Sequence, residues 1–157
     1  FPMNKQQLNR VIDKAEDLCA RSGGRLTDKR KGVLRLLLVS NTPLSAYEIT
    51  DAYKKVAEKS MPAMSVYRIL EFLEAEDLVH KLSSTNKYVA CSHISCNHAH
   101  EIPQFLICGE CQSTKEIAIS KSIIDELGDL VGKADYTLTN PQLELQCLCN
   151  NCSAGTA

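Results

Sequence analysis

The sequence has no uninterrupted apolar run approaching the roughly 20 residues that a membrane-spanning helix needs, so no membrane anchor of that kind is expected. It has no basic segment followed by an apolar one near its start, so a secretory leader is not indicated and a cytoplasmic setting is expected. Its eight cysteines are therefore read as metal ligands or thiols rather than as a disulfide framework. Strong net charge is missing as well: the formal value is −1, which alone argues against a nucleic-acid partner. Counting by parts changes that reading. Residues 1–93 hold 15 Lys+Arg against 11 Asp+Glu, or +4, while residues 94–157 hold 3 against 8, or −5. A basic head is joined to an acidic body, in a chain of 157 residues that suits one or two small domains.

In the basic half, Leu8, Val11, Ile12, Ala15, Leu18 and Cys19 recur at helical steps and predict a first amphipathic helix ending near Gly23-Gly24. Cys19 lies on its apolar face and is read as inert packing. Thr27 is the N-cap expected for a second helix, whose apolar run is Val33, Leu34, Leu36, Leu37 and Leu38. Lys29, Arg30 and Lys31 load its first turns with positive charge, against the helix dipole, which points to a phosphate partner. Ser45 and Glu48 form a capping-box pattern, with Leu44 and Ile49 in staple positions. Ile49, Ala52, Tyr53 and Val56 are expected to form the buried face of that third helix. A fourth helix opens between Ser60 and Ser65, with Val66, Ile69, Leu70 and Leu73 inward and Tyr67, Arg68, Glu71 and Glu74 outward. Two short strands around Leu78–Leu82 and Tyr88–Cys91 flank a polar turn. Helices followed by a hairpin make a winged helix-turn-helix, which sets Ser65, Tyr67 and Arg68 at the DNA, Arg68 as a fork for guanine.

In the acidic half, Cys108-Gly109-Glu110-Cys111 and Cys149-Asn150-Asn151-Cys152 are two C-x-x-C knuckles that together supply the four thiolates of a closed structural zinc site. A redox dithiol would be a single C-x-x-C opening a helix, and neither knuckle is expected to open one. Phe105-Leu106-Ile107 reads as a strand, as do Leu143, Leu145 and Cys147, whose shared parity assigns Cys147 to the core rather than to the metal. Ser120 starts a helix whose stripe, Ile123, Ile124, Leu127, Leu130 and Val131, is too wide for so small a region to bury, so a second copy is expected to cover it. Between the halves lie His80, Cys91, His93, Cys96, His98 and His100, with Glu116 shortly after, a crowding that predicts a second metal site at a hinge.

Arg25-Leu26-Thr27 with Arg30, Ser65-Val66-Tyr67-Arg68-Ile69-Leu70, the histidine-rich hinge and Phe105-Leu106-Ile107-Cys108-Gly109-Glu110-Cys111 resemble the ferric uptake regulator superfamily. Val79-His80-Lys81, Ser84-Thr85-Asn86 and Tyr88-Val89-Ala90-Cys91 are most similar to its zinc uptake branch. The resemblance implies a bacterial, cytoplasmic homodimer that represses zinc-import genes when zinc is plentiful, on an AT-rich inverted-repeat operator in double-stranded DNA. It implies two Zn2+ per protomer: a structural ion on Cys108, Cys111, Cys149 and Cys152, and a regulatory ion on His80, Cys91, His100 and Glu116, with His98 as substitute for His100. The fold class expected is α+β: a winged-helix DNA-binding domain over 1–91, a ligand-bearing hinge over 92–102 and a small α/β dimerisation domain over 103–157. A thiolate among imidazoles is softer than the sites that suit ferrous iron, so Cys91 favours zinc over an iron- or peroxide-responsive regulator. A zinc store or chaperone would leave Arg68 without a role. A nucleotide deaminase is excluded, since His98-Ala99-His100 lacks the required glutamate and no proline directly precedes Cys108; no enzyme activity is expected.

Overall fold

The structure, a computed structural model, describes residues 3–96 and 102–155. His98 and His100 lie outside the described residues. The chain divides into two compact units near residue 97.

The N-terminal unit runs α1 (Lys5–Arg21), α2 (Asp28–Val39), α3 (Ala46–Ala57), α4 (Ala63–Ala75), β1 (Val79–Leu82) and β2 (Lys87–Ala90). The first three helices start where a side chain caps their end groups. Asn4 and Gln7 cap α1 reciprocally, a box that the sequence reading missed. The Thr27 hydroxyl accepts from the Arg30 N–H, and Ser45 and Glu48 close the capping box of α3 at 3.2 and 3.3 Å. The core is contiguous: Ile12, Ala15 and Cys19 of α1 meet Val33, Leu34 and Leu37 of α2, and Val66, Ile69, Leu70 and Leu73 of α4. The wing is an antiparallel hairpin with His80 opposite Val89, and Asn86 supplies the left-handed residue of its turn, φ 53°. Leu44 and Tyr88 exchange backbone hydrogen bonds of 2.8 and 3.0 Å, and Lys87 pairs with Glu48 at 3.1 Å, so the wing is seated on the entry to α3. Val56 corrects the expected buried face of α3, since it is 76% exposed. That helix packs through its first turn, where Ala46 and Ile49 are buried, and Glu58 ends it in the left-handed conformation before its last turn meets the core.

The C-terminal unit holds a three-stranded sheet in the order β4-β3-β5, made of β3 (Gln104–Cys108), β4 (Thr114–Ile117) and β5 (Glu144–Cys147), with α5 (Lys121–Lys133) and the short α6 (Asn150–Ala154). Central β3 is antiparallel to β4 and parallel to β5. The chain therefore crosses from one edge to the other through α5, as a parallel pairing requires. The buried Gln104 ties this return in place: its Nε2 donates to the Pro141 carbonyl at 2.9 Å, and its Oε1 accepts from the Leu143 N–H. Among the described residues of this unit only Gln104, Phe105, Ile107 and Cys108 are buried. No residue of α5 is buried; Ile123 and Leu130 stand 52% and 57% exposed. Cys147 is exposed too, correcting its assignment to the core. Its parity with Leu143 and Leu145 is real, but β5 is an edge strand and the sheet face it serves is open in one chain.

Gly32 allows α2 and α3 to approach, for a Cβ there would stand 2.9 Å from the Tyr53 ring. Gly32→Ala is expected to destabilise the N-terminal unit by about 1–3 kcal/mol, read as a lower urea midpoint at unchanged slope; an unchanged midpoint would mean that Tyr53 moves aside freely.

Candidate functional site

Two knuckles separated by 37 intervening residues (112–148) place the Sγ atoms of Cys108, Cys111, Cys149 and Cys152 within 4.8 Å of one another. The pairing of β3 with β5 does this: Cys108 lies in register with Cys147, and the Gly109 N–H donates to the Cys147 carbonyl at 3.0 Å. A tetrahedral ion with metal–sulfur bonds of about 2.3 Å sets its sulfurs about 3.8 Å apart, and Cys111 Sγ stands 3.8 Å from Cys149 Sγ. The first knuckle is a hairpin turn in which the Cys108 N–H reaches the Ser113 carbonyl and Gln112 takes φ 63°. The second opens α6, contrary to the expectation that neither knuckle would start a helix. It is nonetheless no lone redox dithiol, because its sulfurs converge with those of the first knuckle.

The electrostatics of the cluster call for a cation. Backbone N–H groups of Cys111 and Cys149 point at the Cys108 sulfur and hold its thiol down to about 6. The Ser113 hydroxyl, 3.1 Å from Cys111 Sγ, lowers Cys111 as well. Cys152 is pushed up to about 12 by the hydrogen bonds it makes to Cys149 and Cys111. So this site stabilises its first thiolate and resists its last, and an ion that accepts all four removes the conflict. The donor set fits zinc: four soft ligands, tetrahedral spacing and no position left open for water. Ser113, two residues beyond the knuckle, was not singled out in the sequence; its place just after Cys111 was the signal.

At the base of the wing, a ring nitrogen of His80 on β1 lies within 4.8 Å of Cys91 Sγ. Cys91 is 2% exposed. Its N–H donates to the Leu78 carbonyl at 2.9 Å and its sulfur accepts from the His93 N–H at 3.4 Å. Glu116 belongs to β4 of the other unit, opposite Phe105 and half-buried. His93 is half-buried and Cys96 exposed. Cys19 is buried, and burial followed by the nearby Glu76 carboxylate pushes its thiol up, as befits an inert packing group.

The first turns of α4 carry the expected surface: Tyr67 and Arg68 are exposed and Ser65 half-exposed. At the start of α2 only part of the expected charge faces water. Lys29 is exposed, but Lys31 pairs with Glu16 at 2.6 Å and the Arg30 guanidinium lies 3.6 Å over the Phe72 ring.

Comparison with protein-family models matches residues 21–146 to the ferric uptake regulator family. The chain belongs to that family. A zinc uptake regulation protein of Escherichia coli is 33% identical over 150 residues, 96% of this chain and 85% of that protein. Among solved structures, this family member superposes on a zinc uptake regulator complexed with zinc and DNA at TM-score 0.83, with 31% identity over 95% of this chain and 97% of the other. The holo form of XcZur gives TM-score 0.77, with 34% identity over 93% and 99%.

The sign of the acid response follows from the Cys108 shift. Held below its ordinary 9.0, this thiolate stabilises the metal-free fold fully above that value, and the contribution is lost as the pH falls through about 6. Cys152, raised, acts in the opposite sense at alkaline pH. Metal content measured by mass spectrometry under competing chelator is expected to fall as the pH is lowered through about 6. Cys111→Ser is expected to lose this ion at every pH tested; retention of a full complement by that variant would remove Cys111 from the site.

Proposed function

We propose that the chain is a zinc-responsive transcriptional repressor that, zinc-loaded, binds inverted-repeat operator DNA as a homodimer and controls zinc-uptake genes in a bacterial cytoplasm. The likeness along nearly its whole length to a zinc uptake regulator complexed with zinc and DNA carries this reading. The role is regulatory rather than catalytic.

In this reading the chain is organised as a DNA-binding domain over 1–91, a hinge over 92–102 and a dimerisation domain over 103–157. Cys108, Cys111, Cys149 and Cys152 hold a structural ion, and His80, Cys91, His100 and Glu116 hold a regulatory one, with His98 as substitute for His100, making two per protomer. The thiolate and imidazole beside each other at the base of the wing support zinc over ferrous iron. Because the regulatory ligands come from both sides of the hinge, filling that site ties the orientation of the reading head to zinc supply. The stripe of α5, partly covered at Ile124, Leu127 and Val131 and open at Ile123 and Leu130, supports pairing with a second copy, and a two-fold dimer suits an inverted repeat. Each protomer then offers Ser65, Tyr67 and Arg68 of α4 to the major groove, with positive charge from the start of α2, Lys29 foremost, toward phosphate.

Cys91→Ser is expected to abolish the zinc dependence of DNA binding while the C-terminal ion stays bound, as seen by mobility shift beside metal analysis. A variant that still answers to zinc would contradict the assignment. Arg68→Ala is expected to lose roughly 1–3 kcal/mol of binding and to relax preference at one base per half-site. Equal weakening on all sequences would make Arg68 a phosphate contact.

A further inference from the structure

We propose that Arg30 is a positioning residue for the reading helix α4 rather than a contact to DNA phosphate; the inference rests on the reading of α4 given above. The charge of Arg30 at the start of α2 invites a phosphate, yet its guanidinium is already engaged within the unit by an aromatic ring and a backbone carbonyl. The guanidinium carbon lies 3.6 Å from the centre of the Phe72 ring of α4, and Nη1 donates to the Arg25 carbonyl at 2.6 Å. A cation stacked on an aromatic face with one N–H edge on a carbonyl is held in orientation as well as position. Phe72 is four residues beyond Arg68, hence on the same side of α4 one turn along. The buried face Val66, Ile69, Leu70 and Leu73 fixes the rotation of α4 coarsely, and what grips Phe72 refines it on the side where Arg68 points.

The surroundings build the grip further. The chain between α1 and α2 closes on the same end of α4: Ser22 Oγ donates to Glu76 Oε2 at 2.5 Å. A Cβ on Gly24 would lie 3.3 Å from the Phe72 ring and 3.1 Å from Glu76 Oε1, so a larger residue there would press on both. Lys31, next along, is anchored to Glu16 of α1 at 2.6 Å. Of the three basic residues expected at phosphate, Arg30 and Lys31 therefore join α1, α2 and α4 to one another, and Lys29 is left with its side chain in solvent.

The test uses the full zinc-loaded protein and a DNA duplex selected from a random pool by the unmodified protein, with affinity measured across a salt series and against single-base variants of the duplex. Arg30→Ala and Arg30→Lys are both expected to weaken binding about tenfold. Both should leave the salt slope unchanged and blur the same base preference that Arg68→Ala blurs. Phe72→Leu should reproduce this, and adding Arg30→Ala to it should cost little more, since the two act as one pair. Lys29→Ala, the phosphate control, should lower the slope by about one. The proposal is overturned if Arg30→Ala itself lowers the slope by about one and Arg30→Lys restores binding, or if base preference survives in Arg30→Ala, whose fold is checked by its melting curve. Should Arg68→Ala bind and discriminate as the unmodified protein does, the reading of α4 fails instead, and the two failures are told apart.

Discussion

Four sulfurs that repel one another as thiolates, yet are brought together by strand pairing, are the constraint on which the C-terminal unit depends. With Gln104, Phe105, Ile107 and Cys108 its buried residues among those described, and α5 burying none, this unit has little hydrophobic core of its own. Small domains in that position depend on a staple, and a metal bound by ligands that cluster only on folding contributes its binding free energy to the fold. The N–H groups aimed at the Cys108 sulfur favour its thiolate, while the neighbouring sulfurs raise Cys152, a conflict that a bound cation would relieve. The α5 stripe describes the remaining deficit, which a second copy would make good by the ordinary hydrophobic effect.

The N-terminal unit is stabilised by other means. Its core runs unbroken from Ile12 to Ile94, so no ion is needed to explain its fold. On the proposed reading it also needs angular definition, because a helix that reads base edges must present Arg68 within a hydrogen bond's tolerance. The wing seated on Leu44 and Glu48, and the clasp around Phe72 and Glu76, are both contacts between segments rather than within one. Such contacts fix the segments against one another.

Legibility in the sequence followed the range of the interactions. Local rules worked: the Thr27 cap, the Ser45–Glu48 box and the inward set Val66, Ile69, Leu70 and Leu73 all read true, because capping and helical period depend on neighbours a turn away. The four-cysteine site was legible since its spacing carries the chemistry. Val56 and Cys147 misled for the same reason as each other: parity and period say which face a side chain takes, not whether anything covers that face. Strand β4 was missed because Thr114–Ile117 has no apolar alternation and is recruited by pairing with β3. The internal use of Arg30 and Lys31 was hidden too, since their partners Phe72 and Glu16 are distant in sequence or on another helix.

In the proposed reading one ion holds the C-terminal fold and a second governs DNA binding. Its most direct test is a zinc titration of the metal-stripped protein in which bound metal and affinity for the selected duplex are followed together. The account predicts that the first equivalent per protomer fills the four-sulfur site with little gain in affinity and that tight binding arrives with the second. Tight binding by protein carrying only the four-sulfur ion would contradict it.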